Sequence, residues 1–205
     1  MKKLKATRTL PENYRQTAQL ELSKNRGLAM ILNLVGLGLL FGVGWLFLES
    51  LSFLRPAYIS SENILIITGM REFWRGVLLL AVSVVLVIVL REVLHGLVMW
   101  IATKQLPKLS FHGFYAYAAA SEWYLPRAAY LWFNLVPLLV ITVLGVIAVI
   151  YVPLNFVPGV MLLVSMNAAI SIGDVVTAFW LMGRPQDILI LDHGDGVLVF
   201  YHEEA

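Results

Sequence analysis

The segment Val77–Ile101, VLLLAVSVVLVIVLREVLHGLVMWI, limits what this chain can be more than any other. From Val77 to Leu90 its only interruption is Ser83. Arg91, Glu92 and His95 then enter before the apolar run resumes. About 25 residues at 1.5 Å each reach roughly 38 Å, enough to cross a bilayer with some tilt. A charge at bilayer centre costs about 3 kcal/mol or more, so such residues face a protein interior or a wet cavity. Arg91, Glu92 and His95 are therefore the first candidates for function.

The composition agrees with a membrane-embedded chain. Hydrophobic residues make up 60% and charged residues 14%, whereas soluble domains are about a quarter charged. The absence of cysteine excludes disulfides and thiolate metal ligands, so a transition metal would depend on His, Asp or Glu. A formal charge of +2 gives no case for nucleic acid as a partner. Residues 1–26 carry Lys2, Lys3, Lys5, Arg8, Arg15, Lys24 and Arg26 against Glu12 and Glu21. The apolar run that follows is too long for a signal-peptide core. The N-terminus is expected in the cytoplasm, ahead of an uncleaved span.

The pattern predicts an all-α polytopic membrane protein, a single membrane-embedded domain over 1–205. It has four transmembrane helices and small β-hairpin elements on the cytoplasmic side. The expected spans are Gly27–Leu48, Val77–Ala102, Pro126–Tyr151 and Gly159–Met182. Pro126 suits a first helical turn. Gly38 and Gly42 have the small-xxx-small spacing of close helix packing. Tyr14–Leu22 alternates weakly and is either a short strand or part of a basic tail. Ile64–Ile67 is a candidate strand or interfacial piece. Segment 103–123 is too polar to span. Leu109, Phe111, Tyr115 and Tyr117 alternate around Gly113 there, as in a hairpin. In the tail, 183–205, Ile188–Leu191 and Val197–Tyr201 flank DHGDG, a second hairpin signal. Both termini and the 103–123 loop fall on the cytoplasmic side by their basic residues.

Counted from the cytoplasmic end of each span, His95, Asn134 and Asp174 lie at roughly 10–12 Å, and Glu92 at about 15 Å. Lipid satisfies none of these groups, so they are expected to face one another.

On a helix, HExxH places two His at i and i+4 to hold zinc, with Glu as general base and a third ligand from elsewhere. Here the run is Arg91-Glu92-Val93-Leu94-His95. Arg91 occupies the first ligand position, and a guanidinium has no lone pair for a metal. ExxH alone is weak; inside a membrane span, with Asp174 available, it is better than chance.

The order of the remaining motifs resembles a family. Leu10-Pro11-Glu12, RExxHG at Arg91–Gly96, and the aromatic stretch Phe111–Tyr130 carry the resemblance. So do Asn134 with Pro137, Asn167-x5-Gly173-Asp174, and the ILILD…DG tail. Together they resemble the membrane-embedded zincin peptidases of the DUF3267 type, related in plan to site-2-protease-like intramembrane metallopeptidases. The resemblance implies a zinc site with two His from one helix and an Asp from a later one. On that basis His95 matches the second His, Glu92 the base and Asp174 the third ligand. The first His is replaced by Arg91, which weakens or removes the implied zinc.

Three readings stay open. A pseudopeptidase would pair Arg91, on the same face as His95, with Asp174 in the metal's place. An active zinc peptidase would recruit a substitute ligand such as His112 or a water. A structural or transporter-like protein would use the polar groups only to join helices. The expected partners are membrane lipid and a membrane-spanning or membrane-adjacent polypeptide.

Other candidates have plainer explanations. His112 reads first as a surface residue of an aromatic strand. Asp192, His193 and Asp195 read as a turn, because Gly and Asp suit positive φ. His202 reads as solvated. Asn134 and Asn167 either join helices or support the site. Glu122 and Arg127 form an expected interfacial pair. The 109–119 hairpin could add a peptide strand, or could plug the site or lie on the lipid surface.

Overall fold

The structure, a computed structural model, describes residues 4–22, 24–56, 69–105, 109–112, 115–118, 122–193 and 196–203. The expected piece at Ile64–Ile67 lies outside these residues. Five helices are described: α1 (Arg26–Leu54), α2 (Met70–Thr103), α3 (Arg127–Tyr151), α4 (Val157–Ile170) and α5 (Ile172–Met182). The strands are β1 (Tyr14–Leu20), β2 (Leu109–His112), β3 (Tyr115–Ala118), β4 (Tyr124–Pro126), β5 (Leu189–Asp192) and β6 (Val197–His202).

Helices α1, α2 and α3 are each long and apolar enough to cross a membrane. The expected fourth span is not one continuous helix. Its chain breaks at Ser171, between α4 and α5, so the number of crossings is three, or up to four if that bent pair counts as one. Much of the outward surface is apolar, including Met30, Phe41, Trp45, Leu78, Val85 and Val93. Soluble monomers rarely expose such continuous apolar area. The helices also outrun the expected spans: α2 begins at Met70 and takes in Arg71, Glu72 and Arg75. Pro126 ends β4 rather than opening α3, which starts at Arg127. Its lack of an N–H suits the end of a short strand next to a helix start.

The chain forms two compact units. One comprises Met1–Leu32, Arg91–Pro137 and Gly173–Ala205. It contains a four-stranded antiparallel sheet in the order β1-β6-β5-β4. The N-terminal segment is thus a strand, paired from Tyr14↔His202 to Leu20↔Val197 with a bulge between Gln16 and Ala18. The expected tail hairpin is β5–β6, and the 103–123 hairpin is β2–β3. The two-residue period of β5 and β6 sends side chains to both faces of the sheet. Ile190, Val197 and Val199 pack with Met99, Leu125, Tyr130 and Leu181. Leu189 and Phe200 pack with Tyr14 on the other face. Tyr14 also donates to the Asp187 carbonyl at 2.9 Å. Burial and the nearby Asp187 carboxylate hold the Tyr14 hydroxyl above the usual phenol range. Asn25 caps α1, its Oδ1 accepting from Leu28 N at 3.1 Å.

The second unit comprises Asn33–Leu90 and Leu138–Ile172. Phe47 and Leu51 of α1 pack with Val149 of α3 and Val157 and Val164 of α4. The glycines that allow close approach differ from those expected. A Cβ on Gly36 would lie 2.9 Å from the Ala169 carbonyl oxygen, and one on Gly44 3.4 Å from Ser165 Oγ. Gly38 and Gly42 would meet nothing within 4 Å. Spacing identifies a small-residue stripe but not which way that stripe faces. Arg55 donates to the Val149 and Val152 carbonyls at 3.0 and 2.5 Å, closing the end of α3. Gly36→Ala should therefore lower stability by about 1–3 kcal/mol, the range for overpacking, while Gly38→Ala and Gly42→Ala stay within about 0.5 kcal/mol. Thermal unfolding of the three variants in detergent checks the contrast.

Candidate functional site

The site lies within the first unit. Arg91 and His95 are i and i+4 on α2, so both project to one face. Arg91 is 8% exposed and His95 8% exposed. Asp174 sits in the first turn of α5, where a helix N-terminus favours a carboxylate. The break at Ser171 creates that N-terminus. Arg91 Nη2 donates to Asp174 Oδ2 at 2.6 Å, a charge-assisted bond.

His95 packs its ring against Phe133 of α3, with centroids 4.4 Å apart. Pro137 has no N–H to give the Phe133 carbonyl four residues earlier. That carbonyl interacts with the imidazole instead. His95 Nδ1 is buried without a hydrogen-bond partner. Asn134 donates to the Tyr130 carbonyl at 2.7 Å, fixing its amide along the same face of α3. A cavity of about 300 Å³ lies among these groups, lined by His95, Asn134 and Asp174 together with Tyr130, Thr177 and Asp192.

The DHGDG pattern places Asp192 in a turn. It is instead the last residue of β5, and its Oδ2 accepts from the Tyr130 hydroxyl at 2.7 Å. DHGDG offers a sufficient local explanation for each of its residues, so nothing in it points to the cavity. The available signal was Tyr130, one helical turn before Asn134 and on the same face. The neighbouring His193 closes the turn through its backbone, donating to the Gly196 carbonyl at 3.1 Å; Asp195 lies outside the described residues.

The other sequence candidates fall elsewhere. Glu92 is half-buried on α2 and is not among the cavity-lining residues. Asn167 belongs to the second unit, where its amide donates to the Leu138 carbonyl at 3.4 Å. His112 ends β2, and its side chain lies outside the described residues. His202 is exposed and meets Tyr14 edge-on at 5.4 Å. Arg8 lies 3.9 Å from Glu122, while Arg127 donates to the Met182 and Arg184 carbonyls.

A membrane protein with an ExxH helix facing an aspartate from a later helix defines a zincin-like class. Residues 84–189 match the DUF3267 family, described as "Putative zincin peptidase", over just more than half of the chain, and the chain belongs to that family. No curated protein and no solved structure matches it.

The family implies zinc, and the donors here do not fit it. Arg91 stands in the first ligand position with no lone pair. It also engages Asp174, the residue that would be the third ligand. Among the described residues, no three His, Asp or Glu side chains are grouped as a metal requires.

The pair itself is open to measurement. The Asp174 side chain is 24% exposed and that of Arg91 10%. Asp174→Asn should therefore cost about 3 kcal/mol, the low end for stranding a buried charge. Arg91→Met with Asp174→Leu should recover most of that loss, which a double-mutant cycle by thermal unfolding would show.

Proposed function

We propose that this chain is a zincin-like membrane protein in which an arginine–aspartate ion pair stands in the metal's place. It is a pseudopeptidase that binds membrane-spanning or membrane-adjacent polypeptides, or regulates a partner, without cutting them. The 2.6 Å contact between Arg91 and Asp174 carries this reading. Peptide hydrolysis of the zincin kind needs a Lewis acid to activate water and polarise the carbonyl. A guanidinium supplies charge and five N–H donors, and no such activation. Glu92 keeps the general base's place in sequence without an activated water to serve.

The sheet supports placing both termini on one side of the membrane. β1 precedes α1, β4 follows α2, and β5 and β6 follow α5, yet all four strands share one sheet. Such pairing favours an even number of crossings between β1 and β4, and again between β4 and β5. Helices α1 and α2 make the first two, and α3 with the broken α4–α5 pair makes the second two. The basic N-terminal segment assigns that side to the cytoplasm, with the helices in the cell membrane.

Two measurements test these readings. Purified protein should carry less than a tenth of an equivalent of zinc, roughly the background of a site lacking a first ligand. Arg91→His should raise that to about one equivalent, removed again by His95→Ala. Stoichiometric zinc in the natural sequence, lost in His95→Ala, would instead establish the active-peptidase reading. For sidedness, the cysteine-free chain accepts single reporters. Thr9→Cys and Glu203→Cys should both resist a membrane-impermeant maleimide in intact cells and react after permeabilisation. Labelling of only one of them in intact cells would refute four crossings.

A further inference from the structure

We propose that Arg127 and Arg184 together bind the phosphate of an anionic phospholipid headgroup, where α3 begins and α5 has just ended. This goes beyond the reading of the zincin-like site and does not rest on it.

Placement gives the first reason. Arg127 is the first residue of α3, which is long and apolar enough to span a membrane. Arg184 follows the last residue of α5 by two positions. The two are joined directly: Arg127 Nη1 donates to the Arg184 carbonyl and, at 3.5 Å, to that of Met182. Toward the helices, Trp132, Phe179 and Met182 are exposed apolar surface. In the other direction, Arg127 continues into β4 and the four-stranded sheet. The junction of lipid-facing helix with extramembrane sheet is the level of the headgroups, where tryptophan also collects.

Charge gives the second. Among the described residues, Arg8, Arg15, Lys24 and Arg91 each pair with a carboxylate. Arg127 and Arg184 pair with none. Arg127 spends Nη1 on the two carbonyls. Arg184 spends Nη1 on the Tyr201 hydroxyl at 3.4 Å. Nε and Nη2 of both are therefore left without an acceptor among the described residues. A guanidinium presents its donors as a planar fork that matches phosphate oxygens. Two like charges on joined residues also gain from a shared anion.

Order gives the third. The Arg184 guanidinium lies over the Trp180 ring, with Cζ 4.6 Å from its centre. The Arg127 guanidinium is tied to the turn after α5. Forks held in this way lose less freedom when they take up a ligand than free side chains do. A phosphate carried by lipid is delivered to this level by its own acyl chains, whereas a free phosphate has to be drawn from bulk water.

The test uses the full chain in detergent, titrated with phosphatidylglycerol or with phosphatidylcholine of the same acyl chains. Bound lipid is counted by native mass spectrometry. One phosphatidylglycerol should be retained about thirtyfold more tightly than phosphatidylcholine, about fivefold from each arginine. Arg184→Gln should cut that preference about fivefold. Arg127→Gln, whose amide can still donate to the carbonyls after α5, should do the same, and the double variant should abolish the preference. Arg15→Gln removes an equal charge from β1 and should leave the preference unchanged. Equal retention of the two lipids, or an unchanged preference in Arg184→Gln, overturns the site. An equal loss in Arg15→Gln also overturns it, because net charge alone would then attract the lipid. Inorganic phosphate that displaces phosphatidylglycerol mole for mole overturns the lipid source.

Discussion

A guanidinium placed within a membrane span needs a counter-charge at its own depth, and Asp174 meets Arg91 at 2.6 Å. Each charge alone would face a desolvation cost of several kcal/mol or more. That requirement brings the C-terminal half of α2 and the first turn of α5 together. It also explains why the chain breaks at Ser171: the break presents the α5 N-terminus, whose dipole adds to the stabilisation of the carboxylate. His95, one turn along from Arg91, is carried to the same place by helix geometry rather than by a bond of its own.

The sheet performs the corresponding task for the extramembrane segments. Its strands come from both ends of the chain and from the segment before α3. Their apolar side chains reach both faces, so the sheet is buried on each side. Because Asp192 ends β5 and bonds to Tyr130 of α3, the position of one cavity carboxylate depends on strand pairing, while that of the other depends on helix packing. The cavity is therefore built jointly by lipid-facing helices and the sheet.

Periodic features were legible in the sequence. The apolar runs gave the helices. Weak alternation over Tyr14–Leu22, alternation around Gly113 and the apolar runs Ile188–Leu191 and Val197–Tyr201 flanking DHGDG pointed to the strands, and the i, i+4 relation of Arg91 and His95 gave half of the site. Features that depend on direction were not. Gly38 and Gly42 have a packing spacing but the wrong phase, and Gly36 and Gly44 make the contacts. Asn167, Gly173 and Asp174 flank Ser171, and a helix tolerates each of them, so the position of the break was not legible from them. Asp192 is hidden because a turn already accounts for its neighbours. Pairing between distant strands, which puts it beside α3, has no trace in a local pattern.

Position 91 also bears on how the two carboxylates near the cavity are held. The Arg91 guanidinium donates directly to Asp174 Oδ2 at 2.6 Å, while the Tyr130 hydroxyl donates to Asp192 Oδ2 at 2.7 Å. One acid is therefore fixed by a charge-assisted bond between two helices and the other by a bond between a helix and a strand. Because each acid has its own donor, a change in the packing of α2 against α5 shifts Asp174 without the same effect on Asp192, whose place follows the pairing of β5 with β4 and β6.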